Sequence, residues 1–327
     1  MTGTAEMTST RTAQRTGIAA LRDPALWADR AAAVGLVALV LVFQLLDPGF
    51  LAIGNVRSML LASAILVVLS IGQAFVVATG GIDLSVASTM TFAAALFGYG
   101  FAHGWGLALC CVVAVAGGAV VGILNGILIG YGRITDFVVT LGALSAASGA
   151  ALVIADGKPV TVVDAGLLAL SARGIGPIGW SVIVAAVLAV VGHVVLFRTR
   201  IGTHVLAAGG NPEAATATGI SVARIKVFVY AASGLLAGIA AILLVSRVGA
   251  AEPASNTSFL LNSVAAVVLG GVSLAGGRGG IVGPVLGALL LTVLSNGLTM
   301  LGVSPFYQPV AVGVVVVAAA FLTRWRR

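Results

Sequence analysis

Long apolar runs that carry almost no charge recur from residue 31 to near the C-terminus, and they constrain the fold more than any other feature. A helix needs about 20 mainly apolar residues to cross the hydrocarbon core of a bilayer. Hydrophobic residues make up 60% of the 327 residues and charged residues 8%, whereas a soluble domain has about a quarter charged residues. We therefore predict an all-α, polytopic integral membrane protein with no sizeable soluble domain.

Turn residues between the apolar runs predict about ten transmembrane helices. The predicted spans are residues 31–46, 56–79, 84–101, 105–130, 135–155, 178–197, 225–246, 260–275, 281–302 and 307–323. The least defined boundaries lie between Gly80 and Ser85 and near Gly276, where glycine interrupts the apolar pattern.

The first 30 residues are polar, rich in threonine and arginine, and poor in the large apolar side chains that a packed core requires. They predict a disordered cytoplasmic tail, so that residues 31–327 would form the transmembrane domain. The apolar run after this tail ends without a small-residue cleavage site. We interpret it as a retained first span and not as a signal peptide.

Cationic residues test the orientation, because short cytoplasmic loops of membrane proteins are enriched in Lys and Arg. With ten crossings and a cytoplasmic N-terminus, the cytoplasmic side receives Arg11, Arg15, Arg22, Arg30, Arg133, Arg198, Arg200, Arg224, Lys226, Arg278, Arg324, Arg326 and Arg327. The outer side receives only Arg57, Lys158, Arg173 and Arg247. Both termini are therefore predicted to be cytoplasmic. The net charge of +7 reflects this topology and not nucleic-acid binding, since the sequence lacks basic patches interleaved with aromatic residues.

Enzymatic function is not indicated by the sequence. Its three histidines are dispersed, and it contains no H-E-x-x-H pair, no G-x-S-x-G elbow and no carboxylate cluster, so we predict neither catalytic residues nor a metal site. Cys110 and Cys111 are adjacent in an apolar run and form neither a disulfide framework nor a zinc spacing. The glycine-rich segment 276–280 lacks the Lys and Ser or Thr of a phosphate-binding loop, so we expect no bound cofactor.

Close packing of helices is indicated by the 44 glycine residues. Pairs four residues apart, such as Gly118 with Gly122 and Gly283 with Gly287, are typical of membrane helices whose backbones touch.

A long loop at residues 198–224 contains the signals of a short helix. Asn211 suits the N-cap, Pro212 the first helical position, and Glu213 the positive helix end, while Gly219 is placed to end the helix. A helix of about two turns is marginal alone in water, and its alanine face is small and flat. We interpret it as a helix that docks in a groove of another protein. The alternative is a solvated connector.

Asp83 is the most conspicuous charged residue at membrane depth, where acidic residues are costly and usually functional. It could cap the helix that begins near Leu84, line a solute pathway, or bind a coupling proton or sodium ion.

Several other side chains within the spans could line a pathway, although hydrogen bonding between helices would also explain the polar ones. With Asp83, the candidates are Gln73, Ser85, Asn125, Phe137, Thr140 and Asn296. Phe137 is included because an aromatic ring could stack on the apolar face of a sugar. The low formal charge of the spans favours a neutral solute.

Five segments together resemble the ribose-type sugar permeases, which are the membrane subunits of bacterial ATP-binding-cassette importers in the branched-chain amino acid and monosaccharide permease superfamily. The segments are ATGGIDLSVAS (78–88), NGILIGYGRITDFVVTLGALSAASG (125–149), ADGKPV (155–160), GGNPEAA (209–215) and AAVVLGGVSLAGGRGGIVGPVLGALLL (265–291). The resemblance runs from about residue 40 to the C-terminus.

This resemblance implies the permease fold of such importers in the bacterial cell membrane, and import of a ribose-like monosaccharide by alternating access. The implied partners are a second copy of the permease, an extracytoplasmic sugar-binding protein and a cytoplasmic ATPase, which would hold ATP and Mg²⁺. In the family, the long cytoplasmic loop carries the helix that contacts the ATPase. That helix and its flanks correspond here to Gly209, Gly210, Asn211, Pro212, Glu213, Ala214, Ala215 and Gly219.

Two alternatives remain at this point. The same machinery could carry another small polar solute, such as an autoinducer or an amino acid. The chain could instead be an ion-coupled secondary transporter that works alone, with Asp83 as its ion-binding group.

Overall fold

The computed structural model describes residues 24–254 and 257–324, and helices dominate it. In chain order the helices are α1 (Pro24–Leu46), α2 (Ile53–Ala78), α3 (Val86–Ala102), α4 (Leu107–Gly130), α5 (Asp136–Ile154), α6 (Ala165–Ala172), α7 (Trp180–Arg198), α8 (Arg200–Gly210), α9 (Pro212–Ala217), α10 (Val222–Val248), α11 (Thr257–Leu269), α12 (Val282–Met300) and α13 (Gln308–Arg324). A 3-10 turn at Pro305–Tyr307 precedes α13.

Each of the ten predicted spans coincides with a helix, namely α1 to α5, α7 and α10 to α13. By length and composition, six helices of the described chain could cross a membrane: α2, α4, α5, α7, α10 and α12. Four further apolar helical stretches are shorter: Ala32–Leu46, Val86–Ala102, Thr257–Leu269 and Pro305–Ala318.

Two predicted boundaries were wrong. Helix α1 begins at Pro24 and not at residue 31, because Pro24 suits a first helical position and the residues after it are good helix formers. The predicted tail up to residue 23 lies outside the described residues. Helix α11 ends at Leu269 and not at residue 275. Gly271 has a φ of +78°, the left-handed conformation that commonly follows a helix end.

The loops contain structure that the apolar pattern did not reveal. Helices α6 and α8 were not predicted, and neither were four strands of two residues each. Strand β1 (Val160–Thr161) pairs antiparallel with β4 (Ala250–Ala251), and β2 (Gly174–Ile175) pairs with β3 (Ile178–Gly179). The strands are too short for a periodic hydrophobic signal.

Helix α2 lies at the centre of the bundle, and an unbroken run from Ser63 to Ala78 is buried. Helix α10 packs against it and, along almost its whole length, against α4. The α4–α10 contact is made by glycine: an added Cβ on Gly118 would overlap the Gly234 carbonyl oxygen, and one on Gly122 would overlap that of Tyr230. The predicted close packing is thereby confirmed for this glycine pair.

The same glycine packing continues further along α4. An added Cβ on Gly126 would lie 2.5 Å from the Val227 Cα, and one on Gly130 would lie 2.7 Å from the Ala223 carbonyl oxygen. A second glycine contact joins α11 to α12, where a Cβ on Gly287 would overlap the Ala266 carbonyl oxygen. The two backbones of each pair are therefore in direct contact.

Candidate functional site

The connection between α2 and α3, residues 79–85, holds the buried Asp83, which is 2% exposed. Its Oδ1 accepts from the Ser85 backbone N–H at 2.9 Å and from the Ser85 hydroxyl at 2.6 Å. Its Oδ2 accepts from the Ser233 hydroxyl of α10 at 2.8 Å. Burying a carboxylate is costly unless such donors surround it, so these three bonds explain how the side chain is tolerated there.

The geometry around Asp83 is close to the capping interpretation, with one difference. Ser85 is the residue that precedes α3, and its own side chain makes no capping bond. Asp83 instead binds the Ser85 N–H from two residues upstream, in the manner of an Asx turn. Both carboxylate oxygens therefore have donors within the described chain.

Gln73 and Asn125 complete a buried polar cluster around this connection, at 0% and 3% exposed. The Asn125 Nδ2 donates to the Ser85 hydroxyl at 3.0 Å. With its amide oriented to match donors with acceptors, Gln73 bonds to both the N–H and the carbonyl of Asp83, each at 3.3 Å. Helices α2, α4 and α10 and the α2–α3 connection therefore all contribute to one hydrogen-bonded group.

A second polar cluster contacts the other part of the same connection. The Lys226 Nζ lies 2.8 Å from the Asp136 Oδ2, and the Tyr230 hydroxyl donates to that oxygen at 2.8 Å. The Thr140 hydroxyl donates to the Asp136 carbonyl at 2.8 Å and lies 3.4 Å from the Ile82 carbonyl. The Asp136 and Lys226 side chains are only 22% and 15% exposed, so solvent screens this ion pair less than a surface pair.

Five of the seven pathway candidates thus meet at the α2–α3 connection: Gln73, Asp83, Ser85, Asn125 and Thr140.

The structure places the other two candidates elsewhere. Phe137 is 60% exposed, on the outside of this single chain. Asn296 forms a reciprocal amide pair with Asn55 at 3.0 Å. Asn55 and Gln73 lie near opposite ends of α2, about 27 Å apart at a helical rise of about 1.5 Å per residue. Asn296 therefore belongs to a different region from the Asp83 cluster.

Sequence reasoning missed four residues of these clusters: Asp136, Lys226, Tyr230 and Ser233. A usable signal was present in α10, because Lys226, Tyr230 and Ser233 have i, i+4, i+7 spacing and share one helix face. A polar stripe on an apolar membrane helix indicates a face that contacts other polar groups.

Helix α9 has the predicted local structure. Asn211 is its N-cap, with its Oδ1 accepting from the Ala214 N–H at 2.9 Å, and Pro212 occupies the first helical position. The helix ends at Ala217, and Gly219 has a φ of +87°. Every residue from Gly210 to Gly219 is exposed except Ala215, which is 4% exposed. The helix thus presents an exposed surface of small and polar residues.

The two glycines before α9 are helical and not part of an open loop. Gly209 and Gly210 form the last turn of α8, and Gly209 is buried. An added Cβ on Gly209 would overlap the Ala78 carbonyl oxygen and lie 2.7 Å from the Gly277 N–H nitrogen. Gly277 itself donates to the Ala78 carbonyl at 3.0 Å. Three backbone segments therefore meet here without intervening side chains.

The bundle of apolar helices and its buried polar clusters define the chain as a multi-pass membrane protein of the permease class. Residues 55–320 match the family described as "Branched-chain amino acid transport system / permease component", and the chain belongs to this family.

Three relatives cover most of the chain. The ribose import permease protein RbsC of Bacillus subtilis (strain 168) is 39% identical over 89% of this chain and 91% of its own length. The L-arabinose ABC transporter permease protein AraH of Azospirillum brasilense is 34% identical over 86% of this chain and 83% of its own length. The galactose/methyl galactoside import permease protein MglC of Escherichia coli (strain K12) is 32% identical over 86% of this chain and 89% of its own length. No solved structure matches the chain.

Proposed function

We propose that this chain is the membrane subunit of an ATP-driven importer for a monosaccharide such as ribose, and that it works by alternating access. The observation that carries this proposal is the set of three relatives named for ribose, arabinose and galactose, each covered over nearly its whole length. The partners would be a cytoplasmic ATPase that holds ATP and Mg²⁺, an extracytoplasmic sugar-binding protein and a second copy of the permease.

Ten crossings with both termini in the cytoplasm are part of the proposal, and contacts between loops support this topology. Segments that the topology places outside contact each other: Arg57 donates to the Ser171 and Ala172 carbonyls, and Val160 pairs with Ala251. One crossing more or fewer between two such partners would place them on opposite sides of the membrane.

Segments that the topology places in the cytoplasm also contact each other. Gly277 donates to the Ala78 carbonyl, and Asp136 at the start of α5 pairs with Lys226 at the start of α10. Helices α3 and α11 have 17 and 13 residues, which correspond to about 25 and 20 Å. Because these lengths are below the roughly 30 Å of a hydrocarbon core, we expect the adjoining loops to enter the membrane within protein, as in other transporters.

Helix α9 would be the element that contacts the ATPase. It is exposed on nearly every residue, it is capped, and at six residues it is too short to be stable alone. Glu213 and Ala214 lie on its exposed surface. We therefore expect Glu213→Lys and Ala214→Arg each to uncouple ATP hydrolysis from uptake while membrane insertion is unchanged.

Reconstitution tests the whole proposal. The chain would be placed in proteoliposomes with its ATPase and binding protein, and uptake of radiolabelled ribose, arabinose and galactose would be measured with and without ATP. Uptake of at least one sugar that requires both ATP and the binding protein is expected. Uptake that persists without the ATPase and stops when an ion gradient is abolished would instead identify an ion-coupled transporter, for which Asp83 is the candidate ion-binding group.

The side of the membrane on which α9 lies can be tested separately. Thr216 is exposed, so a Thr216→Cys variant lacking Cys110 and Cys111 would be treated with a membrane-impermeant maleimide. Labelling only after permeabilisation is expected. Labelling of sealed cells would place α9 outside and would refute the coupling role.

A further inference from the structure

Both chain neighbours of α9, α8 and α10, contact the α2–α3 connection. On the upstream side, the Gly209 backbone rests on the end of α2: an added Cβ would overlap the Ala78 carbonyl oxygen and lie 2.9 Å from the Thr79 Cα. Because only backbone atoms meet there, no side chain can rotate away to absorb a shift of α8. A displacement of Gly209 therefore displaces residues 78 and 79.

On the downstream side, contact is made through the ion pair of α10 and α5. Lys226 binds Asp136, and the Asp136 carboxylate lies directly on the Gly81 backbone, where an added Cβ would overlap its Oδ2. The same Cβ would lie 2.8 Å from the Tyr230 hydroxyl. Tyr230 also places that hydroxyl 3.3 Å from the Ile82 carbonyl oxygen. Residues 81 and 82 are therefore contacted by side chains of α5 and α10, and α10 is the helix that follows α9 in the chain.

The remaining residues of the connection lead into the bundle. Asp83 bonds to Ser233 of α10, Ser85 accepts from Asn125 of α4, and Gln73 of α2 is positioned to bond to the Asp83 backbone. A shift of residues 78–82 thus changes the positions of buried polar groups on α2, α4 and α10.

We propose that the α2–α3 connection transmits movement of α9 to the buried cluster around Asp83, and that Gly209 and the Asp136–Lys226 pair are the positioning residues that tie it to the two flanks of α9. This inference rests on the proposed function, because it assigns α9 to the contact with an ATPase. It adds a mechanical role for residues that touch neither ATP nor sugar.

Two variants with matched controls test the inference in the reconstituted complex. Asp136→Asn removes the charge that binds Lys226, and its control is Asp156→Asn, since Asp156 forms an ion pair with Lys158 in which both side chains are largely exposed. Gly209→Ala introduces the overlapping Cβ, and its control is Gly54→Ala, where an added Cβ has nothing within 4 Å. Radiolabelled ribose uptake and ATP hydrolysis would be measured on the same vesicles.

The informative readout is the number of sugar molecules transported per ATP hydrolysed. Each test variant is expected to hydrolyse ATP but to lower this ratio about tenfold, within the range of typical coupling between sites. The controls are expected to stay within about twofold of the wild type. The double variant is expected to be no worse than the more affected single variant, because both act through the same connection.

A role in folding alone would lower the yield of assembled complex and leave the ratio unchanged. Should Gly209→Ala fail to assemble with the ATPase, Asp136→Asn decides the question, since Asp136 lies outside the docking segment. A wild-type ratio in Asp136→Asn would overturn the inference while the proposed function stands. Absence of ATP-driven uptake of any of the three sugars by the wild type would overturn both.

Discussion

Substitution of Gly122 by alanine should weaken the α4–α10 contact. The added methyl group would overlap the Tyr230 carbonyl oxygen and lie 2.9 Å from the Tyr230 carbonyl carbon and 3.1 Å from the Ala231 Cα. All three atoms belong to the backbone of α10, so relief requires the two helices to separate. Overpacking of this kind costs about 1–3 kcal/mol, and separation would also reduce contact at the neighbouring glycines.

The matched control is Gly142→Ala in α5, where an added Cβ has nothing within 4 Å. Alanine is the better helix former by about 0.5–1 kcal/mol, so this variant should be as stable as the wild type or slightly more stable. Thermal unfolding of the purified proteins in the same detergent, followed by circular dichroism, measures both. An unfolding midpoint for Gly122→Ala equal to that of the wild type would contradict the predicted steric overlap, and so would equal losses in the two variants.

Substitutions at three further positions test side-chain hydrogen bonds. Asp83→Ala should lower the free energy of unfolding by about 3 kcal/mol or more, since each buried donor left without its acceptor costs about 1–3 kcal/mol. Asp83→Asn keeps one acceptor oxygen and should lower it less. Equal losses of the two variants in a denaturant titration would contradict this expectation. Asn211→Ala should cost about 1 kcal/mol of local helix stability, with Asn211→Asp close to neutral, and faster amide hydrogen exchange over α9 in the alanine variant alone would show it. Asn296→Ala should cost about 1 kcal/mol through the lost pair with Asn55, and a change in sugar transported per ATP instead of stability would point to a transport role.

Local features of this molecule could be predicted from the sequence. The ten apolar helices follow from long apolar runs, and the cap, first residue and end of α9 follow from Asn211, Pro212 and Gly219. Each of these depends on residues within a few positions of one another. The end of α11 was predicted too late because residues 270–275 are apolar enough to continue a helix, whereas the chain turns at Gly271.

The candidate site could be predicted only in part, because its bonds join distant segments. Asp83 was singled out by its charge and its position, but its partner Ser233 follows 150 residues later. Lys226 contributed to the prediction of orientation, and its bond to Asp136 depends on how α5 and α10 pack. Likewise, only the folded chain shows that Gly209 lies against Ala78.

The row of glycines on α4 restricts how this molecule can change shape. Where two backbones touch along Gly118, Gly122, Gly126 and Gly130, there are no rotamers to exchange and no gap into which either helix could slide. Helices α4 and α10 are therefore expected to move together as one rigid unit. Any opening and closing during a transport cycle has to occur where side chains separate the helices, such as the interface of α2 with α7, where Gly192 faces the side chains of Ile71 and Phe75.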